Sequence, residues 1–348
     1  MKITLGDARK PILNLDATLT LAEPIAPGPP STLRAIFIGK DGLRAGWSLL
    51  IFIALFAAVA VCVNVIGHKI FPPAAKTAQT ASGTATTAHS VFISASIGFL
   101  ITLLVTWIMS KIERRPNSIY GFGGGRRIFN FVAGLVSGVI CISLLILTLW
   151  KTGLLIIDSR LLHGGDILRF ASIWLFNLLL VALFEEYSTR GYLQYTLTRG
   201  LSGLYQWGFK TRHSATLGFW TSAAIFSILF GLGHGKNPGE SPFGMFSSGL
   251  VAMVFCFSLW RTGSLWWAIG FHTSWNWGQS FLYGAAGSGR LFQHSLLATH
   301  PAGKPLLSGG ATGPEGSIFC LAILVLASLI IFITLPRAHY GDTPARST

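Results

Sequence analysis

Eight apolar runs constrain this 348-residue chain more than any motif in it: Gly46–Gly67, Val91–Ser110, Ile128–Trp150, Leu168–Phe184, Ala215–His234, Phe243–Trp260, Ser264–Tyr283 and Ser317–Leu335. Each is long enough to cross a bilayer as a helix of about 20 residues. Helix is also the form that satisfies its own backbone in lipid. The expected fold is therefore an all-α polytopic membrane helical bundle of about eight transmembrane helices. Composition supports this: 51% of the residues are hydrophobic and 11% charged, against roughly a quarter charged in a soluble domain, and mean hydropathy is +0.59. Between and beside these runs there is no room for a large soluble domain. The expected organisation is a cytoplasmic tail at 1–44, a membrane domain at 45–336 and a cytoplasmic tail at 337–348.

The formal charge of +14 does not read as a nucleic-acid footprint, because its 26 Lys and Arg are split among short loops with no aromatic-interleaved basic domain to carry them. With the N-terminus inside, 18 of the 26 fall on the cytoplasmic side. That imbalance predicts both termini in the cytoplasm and a multi-pass protein of the plasma (inner) membrane. The polar stretch at 1–44 lacks the short apolar core and small-residue cleavage site of a signal peptide. Cys62, Cys141, Cys256 and Cys320 lie in four different apolar runs and read as small hydrophobes, with no disulfide framework. Pro72–Ser90 and Gly284–Gly316 read as flexible external loops.

Against this background the ionisable residues inside apolar runs stand out, since each costs a few kcal/mol at membrane depth and persists where it works or is paired. Glu185 and Glu186 end the fourth run and precede Tyr187-Ser188-Thr189-Arg190. Glu186 and Arg190, four apart, share a helix face and can pair. Glu185 points about 100° away and lacks that partner, which makes it the better candidate for chemistry. The fourth helix is expected to run on through Glu185 towards Leu197, because otherwise the glutamates and His234 would lie at opposite ends of their helices. His234 closes Phe230-Gly231-Leu232-Gly233-His234, where the two glycines allow close backbone approach. His272 and Asn276, again four apart, can converge on one substrate atom.

In this order the three motifs resemble the CAAX proteases and bacteriocin-processing enzymes (CPBP), also called the Abi or type II CAAX prenyl endopeptidase family. Their pattern is Glu-Glu-x-x-x-Arg, Phe-x-x-x-His and His-x-x-x-Asn/Asp on successive membrane helices. Here it is met by Glu185-Glu186-x-x-x-Arg190, Phe230-x-x-x-His234 and His272-x-x-x-Asn276, within a motif core at 170–283. Thr189 stands where the family usually has a bulky apolar residue. The resemblance implies an intramembrane endopeptidase acting on a membrane-associated protein or peptide, prenylated or not. By position it makes Glu185 the general base, His234 the residue that positions the water, and His272 with Asn276 the oxyanion stabilisers. Glu186, Arg190 and Phe230 then serve as structural support.

Two mechanisms remain open on the residues alone. Glu185, His234 and His272 would make an open three-ligand zinc set. Yet there is no His-Glu-x-x-His motif, and taking Glu185 as ligand removes the base unless Glu186 leaves Arg190. The metal-free mechanism, with no cofactor, is the expectation. Two non-protease readings also stand: a catalytically silent membrane scaffold or bacteriocin-immunity protein, and a proton-coupled transporter whose glutamates and histidines form a relay.

Overall fold

The computed structural model describes residues 36–39, 42–70 and 85–336. Most of the N-terminal tail, the C-terminal tail and most of the 72–90 loop thus lie outside the described residues. Each of the eight apolar runs forms a helix. These are α1 (Ala45–Ile70), α2 (Ala88–Glu113), α3 (Arg127–Lys151), α4 (Gly165–Glu186), α6 (Ser214–His234), α7 (Pro242–Thr262), α8 (Trp266–Trp277) and α9 (Phe319–Thr334), with α5 (Gln194–Phe209) following α4. The protein is an all-α multi-pass membrane bundle. Its outer faces carry exposed Leu100, Val136, Leu147, Leu229 and Phe332, the apolar surface that lipid covers.

Six helical stretches among the described residues are long and apolar enough to span a bilayer, and the apolar runs at Ser264–Tyr283 and Ser317–Leu335 form shorter helices. The first of these two has a clear physical reason. Helix α8 has 12 residues, and Trp267 through Trp275 are all buried, so its apolarity serves the protein core and not lipid. It packs most closely on α3. There Gly134 and Gly138 of α3 and Gly270 of α8 face the opposing helix so tightly that a Cβ at any of them would collide with its backbone. Backbone-to-backbone contact of this kind, allowed by small residues, fixes the face that α8 turns inward.

The fourth helix continues past the glutamates as expected, and further: Gly165 to Phe209 is one helical stretch of 45 residues. It is not uniform. Tyr187–Leu193 winds as a π-helix, with the Gln194 amide donating to the Thr189 carbonyl. A second π-helical turn, Gly278–Leu282, extends α8 just after His272 and Asn276. Single π turns inside α-helices recur at functional sites; here each one abuts a motif.

Gly284–Gly316 is not the loose loop its composition implies. Its strand Leu297–Pro301 pairs antiparallel with Leu155–Arg160, with a bulge at Asp158, and Asp158 accepts from His300 Nδ1 at 2.9 Å. The Thr86 amide donates to the Leu291 carbonyl and the Gln293 amide to the Thr86 carbonyl. Trp174 of α4 donates its indole N–H to the Gln293 carbonyl at 3.0 Å and stacks on Phe292. Six of the eight glycines of this stretch, among them Gly284, Gly309 and Gly313, have positive φ. They make turns instead of slack.

Candidate active site

The three motif helices converge on one cavity of about 840 Å³, whose lining includes Glu185, Phe230, His234, His272 and Asn276. The two glutamates have separate environments. Glu186 is fully buried, and its Oε1 receives both Arg190 at 3.0 Å and His272 Nδ1 at 3.0 Å. Glu185 keeps 28% of its side-chain surface exposed, with its Oε2 3.8 Å from His272 Nε2. His272 is therefore a bridge, one ring nitrogen on each glutamate. With Nδ1 donating to Glu186, Nε2 is the atom that faces the cavity.

Arg190, though charged, is only 2% exposed. Besides Glu186 it has the Thr189 hydroxyl at 3.0 Å, and its guanidinium lies 4.3 Å from the centre of the Phe230 ring and 5.7 Å from that of Phe255. Aromatic faces stabilise a cation electrostatically, so Phe230 acts on the first motif from the second. Thr189, the departure from the usual family pattern, also donates to the Glu185 carbonyl, and Ser188 donates to the same oxygen at 3.3 Å. These hydroxyls both bond a carbonyl at the start of the π turn. The support is incomplete: Glu186 Oε2 and Arg190 Nε and Nη2 are buried with no hydrogen-bond partner among the described residues. Groups in that state carry a desolvation cost.

His234 is half-buried at the end of α6. Its Nδ1 lies 2.8 Å from the Phe230 carbonyl, leaving Nε2 for the cavity. Of the two neighbouring glycines, Gly231 is pressed against the Met245 carbonyl of α7, as expected from its size. Gly233 has open space around it and lines the cavity, so its expected role in backbone approach is not met. Asn276 shares the cavity wall with His272. For the zinc alternative, Glu185 with His234 and His272, no group of three or more His, Cys, Asp or Glu gathers as a metal-binding set among the described residues, although the Nδ1 bond that each imidazole makes is one a zinc-ligating histidine also makes.

Sequence reasoning missed two features. Glu315, in the turn Pro314–Gly316, lines the same cavity; its carboxylate accepts from the Ser288 amide and from Gln279, and burial pushes its pKa up to about 7. Glu113, at the end of α2, accepts from the hydroxyls of Tyr192 at 2.9 Å and Tyr120 at 3.1 Å. Arg199 and Arg115 stand 3.6 and 3.9 Å away. The one signal for Glu113 was an acidic residue between Lys111 and Arg114 at the end of an apolar run, which reads equally well as a solvated flank.

No curated protein and no solved structure matches the chain. Residues 167–278 match the family model described as type II CAAX prenyl endopeptidase Rce1-like. That interval begins in α4, ends at the second π turn and encloses all three motifs. Over this stretch, which supplies the motif residues of the cavity, the chain is similar to the type II CAAX prenyl endopeptidase Rce1-like family.

Proposed function

We propose that this protein is an intramembrane endopeptidase in which Glu185 activates water against a peptide bond held in the cavity. The observation that carries this reading is the division of labour between adjacent carboxylates. Glu186 is spent on Arg190 and His272, whereas Glu185 opens to the cavity. In the proposed step Glu185 takes a proton from water as the hydroxyl adds to the scissile carbonyl. The carboxylic acid so formed then returns that proton to the departing amine. Asn276 Nδ2–H and, as an imidazolium, His272 Nε2–H donate to the oxyanion, and His234 holds the water. Preorganised donors in a water-poor site act strongly on developing charge, and the Glu186 contact preorganises His272.

The substrate class fits a membrane-associated, prenylated peptide. Leu49, Ile53, Leu178, Val181, Phe184 and Leu229 are apolar residues that line the cavity with the polar cluster. The plasma membrane, with both termini in the cytoplasm, is the location that the Lys/Arg imbalance supports. A silent scaffold would need no second carboxylate kept open to the cavity. The test compares membrane-protein peptides in cells carrying the wild type and Glu185→Ala. Uncut precursors that accumulate in the variant alone support the reading. Identical peptide sets, with both proteins present in the membrane in equal amount, overturn it.

A further inference from the structure

A permanent cation and a histidine meet on one carboxylate oxygen in this site. Arg190 and His272 Nδ1 both donate to Glu186 Oε1, at 3.0 Å each. With Nδ1 donating, Nε2 of His272 carries a hydrogen only in the imidazolium, because a neutral ring has a single N–H. The oxyanion role of His272 therefore sets a second positive charge beside a permanent one, with one carboxylate oxygen between them. Glu185 Oε2, 3.8 Å from Nε2, helps to hold that charge until it takes its proton from water. From that moment the imidazolium has lost one of its two carboxylates, while the oxyanion still depends on it.

Phe255 of α7 stands against the same ring. It lies in the sequence between the second and third motifs, lines the cavity and is 1% exposed. Its ring centre is 5.5 Å from that of His272, with the two planes only 25° apart, and 5.7 Å from the Arg190 guanidinium. Phe271, the neighbour of His272 on α8, meets Phe255 steeply, at 5.8 Å between centres and 69° between planes, and so limits how the ring can tilt. An aromatic face carries the negative end of the ring quadrupole and attracts a cation within about 6 Å of its centre, more strongly where water is excluded. One buried ring within that reach of both groups offsets part of the repulsion between them.

We propose that Phe255 is a positioning residue of the active site, whose ring face holds His272 as the imidazolium while the hydroxyl adds to the scissile carbonyl. It acts through His272 and not on the substrate. A packing role would ask only for apolar volume at this place. The near-parallel approach to the imidazole, on a ring that also reaches the guanidinium, asks for a π face. The assignment rests on the endopeptidase reading and adds to it a residue that lies outside all three motifs.

The experiment changes the charge of the ring and keeps its shape. Phenylalanines bearing one, two or three ring fluorines are installed at position 255 of the full-length protein by stop-codon suppression, since each fluorine weakens the π face at nearly constant volume. The probe is a quenched fluorogenic peptide carrying an S-prenyl cysteine, and a melting temperature in detergent is taken on each preparation. With each added fluorine kcat is expected to fall, reaching about a tenfold loss at three, as befits a desolvated cation–π contact, with KM unchanged. Phe255→Leu, which stays apolar and removes the face, should lose at least as much, and Phe255→Tyr should retain most of the wild-type kcat. In a His272→Ala background the fluorine series should be flat, because the group it acts through is gone. Equal kcat across the series in the protein that keeps His272 overturns the proposal and leaves the peptidase reading standing. A series that falls as steeply without His272 also overturns it, as does one that moves only the melting temperature, which would assign the ring to Arg190. Failure of wild type to cut the probe contradicts the peptidase reading and the Phe255 assignment together.

Discussion

Two buried acidic clusters flank the same π-helical segment, and they are built to opposite ends. At one end Glu113 is saturated: two tyrosine hydroxyls and two arginines surround its carboxylate. Burial and the Glu113 charge push the Tyr120 pKa up, which keeps that hydroxyl a donor. At the other end the Glu186 carboxylate keeps one oxygen, Oε2, without a partner among the described residues, whereas both Glu113 oxygens are bonded, and the neighbouring Glu185 faces a cavity. A saturated buried charge holds helices together, here α2, α5 and the π segment. An under-satisfied one beside open space has capacity left for a substrate and a moving proton. Burial alone therefore does not separate the two buried carboxylates; an unbonded oxygen beside a cavity does.

The contrast can be broken by substitution. The largest effect is expected at Glu185, where the nearly isosteric Glu185→Gln cannot accept a proton. Turnover should fall by about 10² to 10⁴, the range for a lost general base, with the protein still folded. Glu186→Gln should lower yield and melting temperature, because it strands Arg190 as a buried charge. If Glu186→Gln is folded and inactive while Glu185→Gln works, the two assignments are reversed. Next in size is His272→Ala, expected to raise the barrier by about 2.7–4 kcal/mol as a lost oxyanion donor. A loss confined to KM would place His272 in binding instead.

On the other side of the comparison, Glu113→Gln should leave kcat within about twofold of wild type. It should cost about 1–3 kcal/mol of stability, as expected when buried hydrogen bonds to a charged group are disrupted; denaturation in detergent reads this out.

The site was legible in the sequence where it depended on local spacing. The four-residue interval between Glu186 and Arg190 gave their ion pair, and the mismatch between Glu185 and His234 required the fourth helix to run on. The ordered motifs marked the region that forms the cavity. What depended on distant packing was not legible. Glu113 meets Tyr192 across 79 residues, a pairing that no periodicity encodes. The π turns arise where packing overrides the α-helical hydrogen-bond ladder, and composition does not signal them. Glycine content misled at 284–316, because the same residue that loosens a chain also permits positive-φ turns, and neighbouring strands and Trp174 hold those turns in place. In α8, the apolar run showed burial without saying whether lipid or protein does the burying.

A smaller effect is expected from Glu315. Its pKa is raised in the folded protein to about 7 from an ordinary value of 4.5, so folding favours its neutral form. That contribution is whole below about pH 4.5 and is lost as pH rises through about 7. The melting temperature of wild type should therefore fall more between pH 5 and pH 8 than that of Glu315→Gln. Parallel curves would remove Glu315 as the cause.

The smallest effect is expected from a strong chelator, which should leave the activity of purified enzyme unchanged, with no stoichiometric zinc in the preparation. Zinc that is lost with activity, and restores it when added back, would instead make Glu185, His234 and His272 ligands.

The central claim is that the open cluster does chemistry and the saturated one holds structure. It is tested most directly by measuring residual turnover and melting temperature together for Glu185→Gln and Glu113→Gln, prepared side by side with wild type. The expected result is a double separation: Glu185→Gln melts with wild type and does not turn over, while Glu113→Gln turns over and melts earlier. A folded but inactive Glu113→Gln, or a Glu185→Gln that loses stability and activity in equal measure, would contradict it.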